Sequence, residues 1–106
     1  MMMFEDNINI IVEKITSKFD PKAIIIFGSI AKGTSTENSD IDLMVIFETD
    51  LTYYERTLAI RKSIGVTSIP LDILAFTPSE VEEGKLKKNS IISEALTTGR
   101  IVYGTA

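Results

Sequence analysis

The chain has 106 residues, 44% of them hydrophobic and 25% charged, with a formal net charge of −4. That length suits one domain with its own core, so residues 1–106 are read as a single unit. Cysteine and histidine are both absent, which excludes disulfides, thiolate nucleophiles, Cys/His zinc sites and histidine general bases together. Chemistry must rest on carboxylates, hydroxyls, lysine, arginine, backbone amides and bound ions, and a metal held by oxygen ligands would be Mg²⁺ or Mn²⁺ rather than zinc. The acidic balance argues against a long nucleic acid as partner. No apolar run reaches the roughly 18 residues that span a bilayer, and the opening MMMFEDNINI lacks a basic, long-apolar leader, so no membrane and a cytoplasmic location are expected.

Along the chain, Phe4, Ile8, Ile11, Ile15 and Phe19 recur at helical spacing, with Glu5, Asp6, Glu13, Lys14 and Lys18 largely on the other face. This predicts a helix that Asp20-Pro21 ends. The isoleucine-rich run AIIIF at 23–27 reads as a buried strand, and a polar connection from Gly28 to Ser39 leads to a second strand ending in LMVIF at 43–47. Thr52 and Glu55 form a capping-box pattern opening a helix that runs to about Ile64 and stops at Gly65. LDILAF at 71–76 is the next strand, with Pro70 at its start. Thr77-Pro78-Ser79-Glu80 opens another helix, whose Glu80, Glu82, Glu83, Lys85, Lys87 and Lys88 read as a solvated face. Ser90 to Thr97 continues as a helix that Gly99 terminates, and Arg100–Tyr103 closes the chain as a short strand. The order αββαβααβ predicts an α/β (α+β) domain, a small mixed sheet with helices packed on it.

The chemistry-bearing residues cluster around the first two strands. Gly28 admits a ligand close to the backbone, and Ser29 adds a hydroxyl beside its own amide, so the turn is a candidate anion cradle. Gly28, Gly33 and Thr34 imitate a P-loop, but no lysine follows Gly33. Asp40 and Asp42, two apart at the mouth of an apolar strand, project to one face and repel unless a cation joins them. Asp72 lies within a strand between apolar neighbours, where a carboxylate is costly to desolvate without a partner. If 71–76 lies beside 41–47, Asp72 joins the pair, and three carboxylates around two Mg²⁺ ions make a phosphoryl-transfer centre. Asp72 is then also the leading acceptor of a proton from an attacking hydroxyl. Lys32 either reaches phosphate or is simply solvated, and Ser39 either touches a triphosphate or caps its turn. Tyr53, Tyr54 and Tyr103 read as packing residues.

Gly28-Ser29, ten residues, then Asp40-x-Asp42 resembles the GSx10DxD signature of the DNA polymerase β-like nucleotidyltransferases. FGSIAKGTSTENSDIDLMV at 27–45 is similar to the minimal (MNT) branch, Asp72 in PLDIL falls where that family places its remaining metal ligand, and ISEALTTGRIVYG is an ending shared by small members. The resemblance implies transfer of AMP from ATP to a hydroxyl with release of pyrophosphate. It places Gly28, Ser29, Lys32 and Ser39 at the nucleotide and Asp40, Asp42 and Asp72 at two Mg²⁺ ions. It also implies a HEPN-domain ribonuclease toxin as partner, to which the chain is antitoxin, through AMP placed on a toxin tyrosine. The expected elements leave no residues over for an acceptor-binding domain. Two alternatives stay open: a non-catalytic binding module that neutralises its partner by contact, and a small-molecule nucleotidyltransferase, in which a homo-oligomer would supply the missing acceptor site.

Overall fold

A computed structural model describes residues 3–28, 40–67, 69–87 and 90–105, with the side chains of 3–5 left aside. Its elements are α1 (Met3–Thr16), β1 (Ala23–Phe27), β2 (Ile41–Ile46), α2 (Tyr53–Ile64), β3 (Leu71–Phe76), α3 (Pro78–Lys85), α4 (Ile91–Thr98) and β4 (Arg100–Gly104). The sheet order is β3-β2-β1-β4, and it is mixed: β1 runs antiparallel to both β2 and β4, while β3 runs parallel to β2. A parallel neighbour needs a crossover, which α2 supplies.

Strand alternation divides the core in two. Ile24, Ile26, Ile41, Leu43, Val45, Ile73 and Ala75 pack against Ile8, Ile11 and Ile15 of α1 and Ile60 and Ile64 of α2. Ala23, Ile25, Phe27, Met44 and Ile46 face the other way, onto Val81 of α3 and Ile92 and Ala95 of α4. Each large aliphatic so buried contributes roughly 1.5–3 kcal/mol. Both faces of β1 and β2 are therefore covered, which is why those strands read as unbroken apolar runs.

Local signals set most boundaries. Thr52 with Glu55 and Thr77 with Glu80 form complete capping boxes, and Gly65 caps α2 with its amide donating to Arg61 O. The helix α1 stops at Thr16, before the apolar stripe ends. Thr16 and Ser17 turn their hydroxyls onto the carbonyls of Val12 and Lys14, and Phe19 lies beyond the helix, edge-on to Phe47. No helix among the described residues is long and apolar enough to cross a membrane.

Candidate active site

Three chain segments reach the same end of the sheet: the finish of β1 and the starts of β2 and β3. Asp42 sits opposite Phe27 on one side and opposite Asp72 on the other. Neighbouring strands lie about 4.8 Å apart, so register alone brings the two carboxylates together. Asp42, Met44 and Ile46 share a face of β2, as Asp72, Leu74 and Phe76 do on β3. Met44, Ile46, Leu74 and Phe76 take part in the core beneath α3 and α4, whereas Asp42 is half-buried and Asp72 exposed.

This environment differs from the expected one in one respect. Asp72 is not a desolvated carboxylate inside the sheet, because β3 is an edge strand and its start is open to water. The strained group is Asp42. Burial pushes its carboxyl above the usual carboxylate value, the Asp72 charge and a side-chain hydrogen bond between the two push the same way, and exposed Asp40 adds a smaller push. A raised carboxyl between two others marks a place where a cation would relieve both repulsion and lost hydration. Among the described residues, no three carboxylates converge into a closed metal cluster as they stand. The Asp42–Asp72 pair is the part already assembled, and its donor set is all oxygen, which fits a hard divalent cation.

Gly28 follows β1 with φ +79°, the left-handed region that disfavours side chains. A Cβ there would collide with Asp42 Oδ2. Glycine is thus required twice over, for the backbone turn and for the carboxylate lying against it. Ser29, Lys32 and Ser39, the remaining candidates for nucleotide contact, lie outside the described residues.

Sequence reasoning missed a polar latch between α2, β3 and α3. Arg56 is only 8% exposed. Its guanidinium donates to Leu51 O at 2.9 Å, to Ala75 O at 3.3 Å and to both carboxylate oxygens of Glu80, at 2.7 and 3.3 Å. Glu80 is therefore not simply part of a solvated face: it also accepts from the Thr77 amide, and its bond with Arg56 pulls its carboxyl below the usual value. The available signal was position, since Arg56, Ile60 and Ile64 are four apart on the buried stripe of α2. At the other end of the same helix, Arg61 Nη2 donates to Leu71 O at 3.0 Å, one residue before Asp72. Tyr53 packs on Phe76, but Tyr54 is 72% exposed and not a packing residue.

Residues 9–106 match the family described as polymerase beta, nucleotidyltransferase. Comparison with curated protein sequences gives no match. Among solved structures, a protein of Sulfolobus solfataricus provisionally described as a nucleotidyltransferase shares the fold, with TM-score 0.64, 21% identity, and 94% of this chain and 85% of that one covered. A toxin–antitoxin complex with AMP-PNP gives TM-score 0.57 at 20% identity, covering 92% of this chain and 73% of the other. A complex of a tri-AMPylated Shewanella oneidensis HEPN toxin with its MNT antitoxin gives 0.54 at 18%, covering 97% and 74%. These likenesses speak for the fold, and the family match over residues 9–106 says more: a carboxylate pair fixed by β2–β3 register beside a glycine turn belongs, here, to a member of the polymerase beta nucleotidyltransferase family.

Proposed function

We propose that this chain transfers AMP from ATP to a tyrosine hydroxyl of a HEPN-domain toxin and so acts as that toxin's antitoxin. The observation that carries the reading is the Asp42–Asp72 register pair, with Asp42 held against Gly28. The family match supports nucleotidyl transfer, and neighbours solved with AMP-PNP, or with an AMPylated HEPN toxin, support the nucleotide and the partner class.

Asp40, Asp42 and Asp72 would hold two Mg²⁺ ions, which supply charge neutralisation at the triphosphate and at the attacking oxygen. The turn at Gly28 and Ser29 would receive the triphosphate through backbone amides, with Lys32 and Ser39 beside it. Asp72, exposed at the edge of the sheet, stands where a macromolecular acceptor can reach it and would take the proton from the incoming hydroxyl. The new bond joins that oxygen to the α-phosphorus, the α–β phosphoanhydride bond breaks, and pyrophosphate leaves with the electron pair.

The test is the intact mass of the partner that co-purifies from the native host, recorded before and after Mg²⁺-ATP. Whole AMP units gained with wild type and none with Asp42→Asn are the expected result. A partner that binds without changing mass would overturn transfer in favour of neutralisation by contact.

A further inference from the structure

Asp42 and Asp72 stand at directly opposed positions of β2 and β3, where like charges push neighbouring strands apart. β2 is held on its far side by β1 and packed on both faces, so the strand free to yield is β3, at the edge of the sheet. The start of β3 is also thinly tied. Pro70 has no amide to donate, and towards β2 its carbonyl accepts from Ile41 N at 2.9 Å. Carbonyls alternate along a strand: Pro70 O and Phe76 O accept from the Ile41 and Phe47 amides, so those of Leu71, Ile73 and Ala75 point to the open edge. α2 meets two of these with guanidinium groups, Arg56 Nη1 at Ala75 O (3.3 Å) and Arg61 Nη2 at Leu71 O (3.0 Å). The second bond lands one residue before Asp72, at the end of the strand where the repulsion acts. Its helix is a firm anchor, because Ile60 and Ile64 are buried in the core and Lys14 Nζ of α1 donates to Ile64 O at 3.0 Å.

We propose that Arg61 is a positioning residue for Asp72: by holding the Leu71 carbonyl from the outer edge, it keeps the start of β3 against β2 while the two carboxylates are without a cation. It acts through the backbone and not on the carboxylate itself. Its catalytic consequence rests on the transfer reading above and adds to it the device that preorganises the acidic pair before metal and nucleotide arrive. A guanidinium suits the task, since it stays charged and offers several N–H donors in a fixed plane to a carbonyl that no further strand covers among the described residues. Arg56 does the same at the far end of the strand, so α2 spans β3 from Leu71 to Ala75.

Hydrogen exchange over residues 69–76 of the metal-free protein, followed by mass spectrometry, tests this as a cycle with the Asp42 charge. Neither Arg61 nor Asp42 lies in that segment, so its intrinsic exchange rates are the same in every variant. Arg61→Met, which keeps an apolar stem and removes the donor, should speed exchange there about fivefold and leave β1 unchanged. Arg61→Lys, which keeps a donor, should stay near wild type. In an Asp42→Asn background the same Arg61→Met change should matter about twofold or less, because the repulsion it opposes is gone. Lys62→Met removes a neighbouring exposed charge and should change nothing. In transfer to the co-purified partner, Arg61→Met should lower kcat about tenfold with KM for ATP unchanged, and Arg61→Lys should restore it. An equal effect of Arg61→Met in both backgrounds, no effect in either, the same effect from Lys62→Met, or an unchanged kcat overturns the positioning role and leaves nucleotidyl transfer standing. A wild type that adds no AMP, while the exchange cycle comes out as expected, overturns the transfer reading and leaves Arg61 as the restraint on an acidic pair.

Discussion

At Asp42 the stability of the fold and the proposed chemistry pull in opposite directions. Burial and the neighbouring Asp72 raise its carboxyl, so the folded chain holds that proton more tightly than the unfolded chain does. The associated stability is complete below the unfolded value and is lost as pH rises through the folded one. At neutral pH the ionised group is a net cost. Asp42→Asn should therefore melt higher than wild type at pH 7 without divalent metal, with the gap closing towards about pH 4, while transfer falls on the order of a hundredfold or more. Equal melting at pH 7 would mean the two carboxylates do not strain the fold. Gly28 gives a matched comparison. Gly28→Ala and Gly65→Ala place alanine at similar positive φ, +79° and +77°, but only position 28 adds a collision, with Asp42 Oδ2. Each should cost about 1–3 kcal/mol in urea unfolding, and only Gly28→Ala should also depress transfer, because the alanine displaces Asp42.

At the scale of elements, the α2–β3–α3 latch fixes the strand that carries Asp72. Arg56 satisfies the Ala75 carbonyl on the edge strand and ties it to Glu80 at the mouth of α3. Arg56→Ala leaves the buried Ala75 carbonyl without this donor and should lower stability by about 1–3 kcal/mol. Glu80→Gln should cost under about 1 kcal/mol, because the Glu80 side chain is 41% exposed and water screens the pair. The Glu80 carboxyl is held below its usual value, so its contribution is present above the unfolded pKa and is lost as pH falls through the folded one. Urea midpoints of wild type and Glu80→Gln should converge in mild acid, and a constant difference would rule out the ion pair as its source. The elements themselves were legible in sequence because their signals are local: two capping boxes, glycine stops and β-branched runs. The end of α1 was not, since two hydroxyls competing for helix carbonyls leave no mark in the hydrophobic period.

At the scale of the whole molecule, the repulsion at one end of the sheet is what the proposed metal–nucleotide ligand would relieve. A ligand that binds only the folded chain adds about 2.7 kcal/mol at a hundred times its Kd, which for a chain this size is a rise in Tm on the order of 10 °C. Mg²⁺-ATP should therefore raise the Tm of wild type well above that of Asp42→Asn, and Mg²⁺ alone should raise it by less. The same shift in both proteins would place the ligand away from the carboxylate pair. The Asp42–Asp72 pair depends on β2 and β3 lying parallel in one register, so a slip of one residue would turn the two carboxylates to opposite faces.

The sequence by itself determined the order of the elements, the all-oxygen chemistry that absent histidine and cysteine leave, and the spacing of Gly28, Asp40 and Asp42 that resembles the family. Those features are local or compositional, and residue identity and distance along the chain suffice for them. Only the tertiary structure decided that Asp72 is exposed while Asp42 bears the strain, that Arg56 is buried, and that Arg61 donates to the Leu71 carbonyl on the edge strand. Each of these depends on strand order and on which strand lies at the edge, and thus on contacts between segments far apart in the chain, which a short-range pattern does not encode.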